Sequence, residues 1–351
     1  MNFFKKKIVG VDIGTDAIKI VEVSNRGGYK KLENYCEVNS SLVSKQPLLS
    51  TIEDGSLSSS GMISSALKEI LKEARIKTEK AVFSLPDFLT FAAYFEIPPM
   101  PEKEMPGAIY YNASRYLTLP ITDVTLDWVV VPNESKDSSS QVKIFLIAVP
   151  NQVIKEYQKI AKEAGLELLA LESEVFGLVR SLAQNNQNTI CLIDMGAKTS
   201  TINVVDRGFL KRSYSFNFSS DQLSNALAGA LNLKVNEAEK IKNNEGILSK
   251  RADVVKTLKT FIDQLFWEIK SISADFLTQE KKQVSEFYLT GGNANLPGLK
   301  DYFAQNFKES SVYVSNCFSN FSHPKILKKN LIEMSPRFSA AIGVALGILE
   351  I

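Results

Sequence analysis

The chain of 351 residues holds one histidine, His323, and three cysteines, Cys36, Cys191 and Cys317. The cysteines are odd in number, far apart and free of any CxxC pair, which leaves no disulfide framework and no thiolate zinc site. They read as reduced thiols of a cytosolic protein. His323 lies in the loop-like stretch FSHPK without a Cys or His companion, so a histidine triad or histidine metal cluster is not expected. Charge of one sign is missing as well: 41 basic against 39 acidic side chains leave a net of +2. That balance gives no electrostatic pull toward nucleic acid or a membrane surface. The opening MNFFKKK is basic, but no apolar h-region or small-residue cleavage site follows, and no signal peptide is expected. The most apolar run, FSAAIGVALGILEI, falls short of the ~20 residues of a membrane span. It reads as a buried helix with Ser335-Pro336 as its start signal. Both familiar glycine motifs are absent too, the P-loop with its Lys-Ser/Thr and the three-glycine dinucleotide fingerprint.

What is present is a globular composition, 44% apolar, with length for two to three compact units of ~150 residues each. The stretch IVGVDIGTDAIKIVEV, residues 8–23, runs an apolar strand into Asp12, turns at Gly14 and returns as a strand of β-branched residues. A tight hairpin of this kind leaves backbone N–H groups pointing outward to cradle phosphate, and an aspartate beside them can hold a hydrated Mg2+. An ordinary hairpin with a turn-forming Asp and Gly would carry the same letters. The plan recurs, however, in TICLIDMGAKTSTINVVDRG, residues 189–208. Asp12, Gly14, Ile20 and Val23 match Asp194, Gly196, Ile202 and Val205 at one constant offset. A third strand follows each hairpin, around 29–38 and 209–218. Two such cradles would clamp a polyphosphate from both sides. A third glycine element, FYLTGGNANLPGLKDYF, ends a short strand at Thr290, lets the chain approach a ligand at Gly291-Gly292, and opens a helix at Leu296-Pro297-Gly298-Leu299. Glycines before a helix start suit phosphate or ribose.

Helical spacing of Ile63, Leu67, Ile70, Leu71 and Ala74 predicts a helix over 60–74, after a Ser/Gly-rich loop at 56–61. Strand AVFSLP follows. The rhythm across 88–169 then reads β-α-β-β-α-β, with an acidic-serine turn at 133–141, and fits a small α+β subdomain inserted in the first half. LESEVFGLVRSLAQ returns to the first half as a helix whose apolar face carries Val175, Leu178, Val179 and Leu182. The run 219–279 is helical and charged.

The order of Asp-x-Gly hairpin, second Asp-x-Gly hairpin and Thr-Gly-Gly before a helix resembles the actin, Hsp70 and sugar-kinase superfamily. Within it, VGVDIGTDAIKIVEV, EIPPMPEKEM, LIDMGAKTSTINVVDRG and PRFSAAIGVALGILE are together most similar to the PilM family of type IV pilus assembly proteins, relatives of the division protein FtsA. The resemblance covers essentially the whole chain. It implies an α/β, actin-like ATPase fold of two related halves around a nucleotide cleft, with ATP and Mg2+ as cofactors. The first half would comprise 1–87 and 170–187, and an insertion of the kind named 1C in FtsA and PilM would comprise 88–169. The second half would comprise 188–218 and 284–351, with a helical subdomain at 219–283 and the C-terminal helix, 336–350, packed back toward the first half.

The resemblance further implies roles for named residues. Asp12 and Asp194 would face each other across the cleft and hold Mg2+, directly or through water. Amides near Gly14, Thr15, Asp16, Gly196, Ala197, Lys198 and Thr199 would receive phosphate oxygens, and Gly291, Gly292 and Asn293 would meet the nucleotide. Lys19 matches a phosphate-contacting lysine of actin, although a solvated surface lysine reads the same. Glu174 matches the cleft glutamate of Hsp70 relatives, a catalytic position that its neighbour Glu172 could equally claim. Glu239 and Lys242 match an Ala-Glu-x-x-Lys pattern that flanks adenosine, yet an i,i+3 ion pair has the same signature. Relatives often carry Gly-Gly where this chain has Phe218-Ser219-Ser220-Asp221, which implies a weaker or slower site.

The implied function is a cytoplasmic scaffold of a type IV pilus or related secretion machine that binds nucleotide and, at most, hydrolyses it slowly. Its partner would be the cytoplasmic N-terminal tail of PilN, an inner-membrane protein, in a groove between the first half and the insertion. Contacts with other pilus motor components and self-association are compatible with it, and the membrane is reached only through the partner. An FtsA-like division protein would need a linker and amphipathic helix after the buried one, and a small-molecule kinase would need a catalytic Asp for which no strong candidate stands out.

Overall fold

The computed structural model describes residues 6–43, 48–49, 57, 59–132 and 141–350. The turn expected at 133–141, except residue 141, and residues 56 and 58 of the loop expected at 56–61 lie outside them, while 60 and 61 already belong to a helix. The chain opens with β1 (Lys6–Ile13), β2 (Ala17–Arg26) and β3 (Tyr29–Asn39), a short α1 (Ser40–Val43), α2 (Ser60–Glu73) and β4 (Lys80–Leu85). Next come β5 (Phe91–Ile97), α3 (Met105–Ala113), β6 (Val124–Val131), β7 (Val142–Pro150), α4 (Asn151–Ala164), β8 (Glu167–Ser173) and α5 (Glu174–Leu182). The remainder is β9 (Thr189–Met195), β10 (Ser200–Asp206), β11 (Phe209–Phe216), α6 (Ser220–Leu231), α7 (Val235–Asn244), α8 (Ala252–Glu280), β12 (Glu286–Thr290), α9 (Leu299–Asn306), β13 (Ser311–Val314) and α10 (Lys328–Leu349).

Two five-stranded sheets share one plan. Their orders are β3-β2-β1-β4-β8 and β11-β10-β9-β12-β13, with the first three strands of each antiparallel and the last two joined in parallel. The likeness extends to defects. A β-bulge breaks the β2/β3 register at Glu22/Val23 and the β10/β11 register at Val204/Val205, equivalent positions of the repeat. The turns match as well: the Gly14 amide donates to the Ala17 carbonyl at 2.9 Å and the Gly196 amide to that of Thr199 at 3.0 Å.

Alternation along the strands decides which helices cover each face. Val9, Val11, Ile18, Ile20 and Phe83 pack under α2 and α4, whereas Ile8, Val21, Val23 and Val82 pack against α10. In the second sheet Ile193, Ile202 and Val204 meet α6, α8 and α9, while Ile190, Leu192 and Val205 meet α5. Helices α5 and α10 therefore lie between the two sheets. They cross at backbone contact: a Cβ on Gly343 would stand 1.8 Å from the Gly177 carbonyl oxygen. A Cβ on Gly10 in β1 would likewise meet the Ala341 carbonyl oxygen at 2.1 Å.

Two expectations need correction. The apolar C-terminal run is the inner part of a longer helix, and Pro336 lies inside α10 instead of starting it. Its carbonyl is taken from outside the helix, by the Gly291 amide at 3.0 Å and the Thr290 hydroxyl at 2.8 Å. The inserted sheet, β5-β7-β6, ends with β7. Helix α4 buries Val153, Tyr157 and Ile160 in the core of the first sheet, and β8 pairs in parallel with β4. Hence 151–169 belongs with the first half, and the expected insertion of 88–169 is too long at its C-terminal end. One face of the inserted sheet, Ile144 and Leu146, packs on Ile109 and Ala113 of α3. The other, Phe145 and Ile147, joins Val175 and Leu178 of α5 and Leu192 of β9.

A methyl group has no room where α5 and α10 cross, because both flanking surfaces are backbone. Gly343→Ala is expected to lower the unfolding free energy by about 3 kcal/mol. Urea or guanidinium unfolding of the variant checks this, and a change under about 1 kcal/mol would show that the crossing yields easily.

Candidate functional site

The site begins with a row of side chains that the first sheet aligns. Lys19 stands opposite Asp12, Glu37 opposite Lys19, Ser84 opposite Asp12 and Glu172 opposite Ser84. Partners in register share a face, so one polar row crosses all five strands. It lies on the α10 face, beyond the point where α10 covers it. The Ser84 hydroxyl donates to Asp12 Oδ1 at 2.6 Å and Lys19 Nζ to Asp12 Oδ2 at 3.2 Å. Burial pulls the Lys19 ammonium down, but the charges of Asp12 and Glu37, the Asp12 hydrogen bond and the charge of Asp194 outweigh it and hold it above its usual range. A solvated surface lysine is thereby set aside.

The facing wall comes from the second sheet, where Asp194 stands between Thr201 of β10 and Thr290 of β12. Gly291 makes room for it: with φ of 81°, its missing Cβ would lie 2.3 Å from Asp194 Oδ1. Between the walls is a cleft of about 300 Å³. Asp12, Gly14, Thr15, Asp16 and Lys19 line it from the first hairpin, and Asp194, Gly196, Ala197, Lys198 and Thr199 from the second. Glu174, Glu239, Gly291, Gly292 and Asn293 complete the set of expected residues found there.

Several expected roles change. The Gly14 and Gly196 amides close their own turns, which leaves the amides of Thr15, Asp16, Ala197 and Lys198 outside that bonding to meet an anion. Lys242 does not reach the cleft. It is buried behind it, with Nζ donating to the Ser220 carbonyl at 3.2 Å and to the Ser220 hydroxyl, and burial lowers its pKa. Glu239, three residues earlier, does line the cleft. Glu172 is held bidentately by Arg180 at 2.5 and 2.6 Å, so of the two candidate glutamates Glu174 is the one presented to the cleft. The Phe218-Ser219-Ser220-Asp221 segment caps its own helix: Ser219 and Gln222 form a capping box, and the Ser220 and Asp221 amides donate to the Gly196 and Ala197 carbonyls.

Asp87 was not foreseen. Its carboxyl accepts from the Ser173 hydroxyl at 3.3 Å, and its amide donates to Glu174 Oε1 at 3.2 Å. Burial, reinforced by the charge of Asp194, pushes Asp87 up to about 7. Burial pushes Asp194 up to about 6, opposed by Lys19 and helped by Asp12. Burial and the charges of Asp87, Asp194 and Asp12 raise Glu174 well above the usual carboxylate range. Asp87 lies outside the repeated motif, and only its adjacency to the cleft strand, in SLPD, was a signal. Asp87 is not itself among the lining residues, whereas Glu37, Asn39, Ser220 and Arg337 line the cleft unforeseen.

The family model described as "Type IV pilus assembly protein PilM" matches residues 10–348. The chain belongs to the PilM family. Its structure is similar to that of a PilM–PilN type IV pilus biogenesis complex, with a TM-score of 0.84 and 24% identity over 98% of this chain and 99% of that one. It is also similar to the ethanolamine utilization protein EutJ from Carboxydothermus hydrogenoformans, at TM-score 0.56 and 16% identity over 99% of this chain and 90% of that one. A non-polymerising MamK mutant bound to AMPPNP matches at TM-score 0.51 and 13% identity, covering 99% of each chain. These likenesses establish an actin-like fold for this PilM-family protein, in the class expected from its sequence.

The raised carboxyls carry a pH signature. Folded values near 6 and 7, above an unfolded value of 3.8, contribute stability that is complete below about pH 4 and is lost as pH rises through 6 and 7. Asp87→Asn removes one of these charges. Thermal melts without divalent cations are expected to show the variant a few degrees more stable than wild type at pH 8, and equal to it at pH 4. A gain of the same size at both pH values would contradict the assignment.

Proposed function

We propose that this PilM-family protein is a cytoplasmic, ATP-binding scaffold of a type IV pilus or related secretion machine, joined to the inner membrane through the tail of a PilN-like protein. The observation that carries the nucleotide reading is the pair of equivalent hairpins that present Asp12 and Asp194 to one cleft. Among the described residues no three His, Cys, Asp or Glu side chains group closely enough to form a metal nest by themselves. Two carboxylates from opposite walls suit a hydrated hard cation that takes its remaining ligands from water and phosphate. Asp12 and Asp194 would hold Mg2+ in this way, where it would neutralise charge on the phosphates. The amides of Thr15, Asp16, Ala197 and Lys198 and the Lys19 ammonium bind phosphate oxygens in this reading. Glu174 orients a water, and a slow hydrolysis needs little more from the protein.

The partner reading rests on the family and on a second concavity. Val129, Val130 and Val131 of β6, Phe176 and Val179 of α5, and Phe209 and Leu210 of β11 line an apolar groove of about 480 Å³. Both β6 and β11 are edge strands of their sheets, so an extended peptide laid along the groove has backbone groups to pair with and apolar side chains to bury. The PilM–PilN complex gives the partner its class.

Asp194→Ala is expected to abolish Mg2+-dependent ATP binding in calorimetric titration while circular dichroism stays native; undiminished affinity would remove Asp194 from the site. For the groove, Val130→Glu and Phe209→Glu alter side chains that are 48% and 52% exposed, so the fold should tolerate them. Each is expected to weaken a fluorescent peptide of the cognate PilN tail about tenfold or more and to leave ATP affinity unchanged. Wild-type peptide affinity in both variants would place the tail elsewhere.

A further inference from the structure

The most informative unassigned group in the cleft is Arg337, the first residue after Pro336 in α10. It lines the cleft, and its guanidinium meets Glu37 Oε2 at 3.3 Å. Its Nε is enclosed and has no hydrogen-bond partner, an arrangement that costs free energy unless something completes it. Glu37 ends the polar row on its β3 side, next to Lys19, so charges alternate from Asp12 through Lys19 and Glu37 to Arg337. The other cations on the cleft wall are ion-paired too, and what sets Arg337 apart is its buried, unsatisfied Nε. Lys19 holds Asp12 at 3.2 Å, and Lys198 pairs with Asp221 at 2.9 Å in an exposed bridge.

We propose that Arg337 is a phosphate-binding residue of this cleft, held by Glu37 in the absence of ligand and released to the polyphosphate when nucleotide binds. This rests on the reading of the cleft as a nucleotide site. A guanidinium is always charged and matches phosphate oxygens with paired N–H groups, which a carboxylate of equal reach cannot exclude once a multiply charged anion competes for it. The position has a mechanical consequence. The carbonyl of the preceding residue, Pro336, is fastened to the second half through Gly291 and Thr290, while Phe338 and Ala341 are buried in the first. Exchange of Glu37 for phosphate therefore acts on α10 at the joint between the two halves.

Calorimetry with ATP, ADP and AMP on R337A, R337K, E37Q and the double variant E37Q/R337A tests this. R337A is expected to weaken ATP about 10- to 100-fold, as loss of a charged hydrogen bond does, and AMP by less than about threefold. R337K should recover part of the loss. E37Q should tighten ATP when Arg337 is present and not in the R337A background, because the gain comes from freeing that side chain. An equal loss for ATP and AMP in R337A would overturn the proposal, as would an E37Q gain that persists without Arg337. If wild type bound no nucleotide at all, the reading of the cleft would fall first, and the titration would show that directly.

Discussion

The crossing of α5 and α10 is the constraint on which the rest of the molecule depends. Two helices can lie between two sheets without prying them apart only if they touch each other and the sheets closely. Here Gly177, Gly343 and Gly10 allow backbone to rest on backbone. Burial of the surrounding aliphatic surface is non-directional, so these three positions without side chains set the depth of the contact. Above the crossing α10 continues to Pro336, whose carbonyl the second half holds. The cleft is the space that remains where the two sheets extend beyond this shared pair of helices.

Chemistry in that space follows from the register of the strands. In each sheet the central aspartate sits near the end of its strand, so its carboxylate emerges where the covering helix has stopped. The two copies have diverged at the next position: the first hairpin places Lys19 opposite Asp12, the second places Thr201 opposite Asp194. One wall thus carries its own cation and the other does not, while Asp194, Asp87 and Glu174 are pushed up chiefly by burial and then by one another's charges and that of Asp12. Mutual repulsion among buried carboxylates makes the cleft a stronger cation and donor site than any one of them would be alone.

What could be read from the sequence was what repeats or alternates locally. The hairpin pair, its glycines and its aspartates were legible because an offset is visible without knowing any tertiary contact. The end of the insertion was not. A β-α-β-β-α-β rhythm looks the same whether its last strand pairs with the first or, as β8 does, with β4 outside it. Lys242 failed for a similar reason: spacing on α7 placed it on the face of Glu239, while its real partner, Ser220, lies on α6. Pro336 carried a start signal by local rule, yet it stands inside α10, with its carbonyl held from outside the helix by Gly291 and Thr290. Glu37 and Arg337 stand outside the Asp-x-Gly hairpins, and only the folded chain brings them to the cleft, with Asp87 close behind it against Glu174.

The apolar groove and the polar cleft are not independent surfaces, and their connection can be traced through named contacts. Phe176 and Val179, in the floor of the groove, belong to α5, whose first residue, Glu174, lines the cleft. The insertion does not hang from the first half alone. Lys143 of β7 pairs with Glu280 of α8 at 2.7 Å, Arg212 of β11 stacks over Tyr94 of β5 at 4.3 Å, and Lys211 Nζ donates to the Pro132 carbonyl at 3.0 Å. Any rotation of one half against the other must therefore strain these contacts or move β6 relative to β11, the two edges of the groove. A peptide that prefers one spacing of those edges prefers one opening of the cleft. By linkage, a nucleotide bound in the cleft and a peptide bound in the groove, as proposed, would change each other's affinity by the same factor, a coupling that is typically ~1 to 3 kcal/mol in proteins of two states. The device needs no long-range pathway, because α5 borders both sites and the inserted sheet touches both halves.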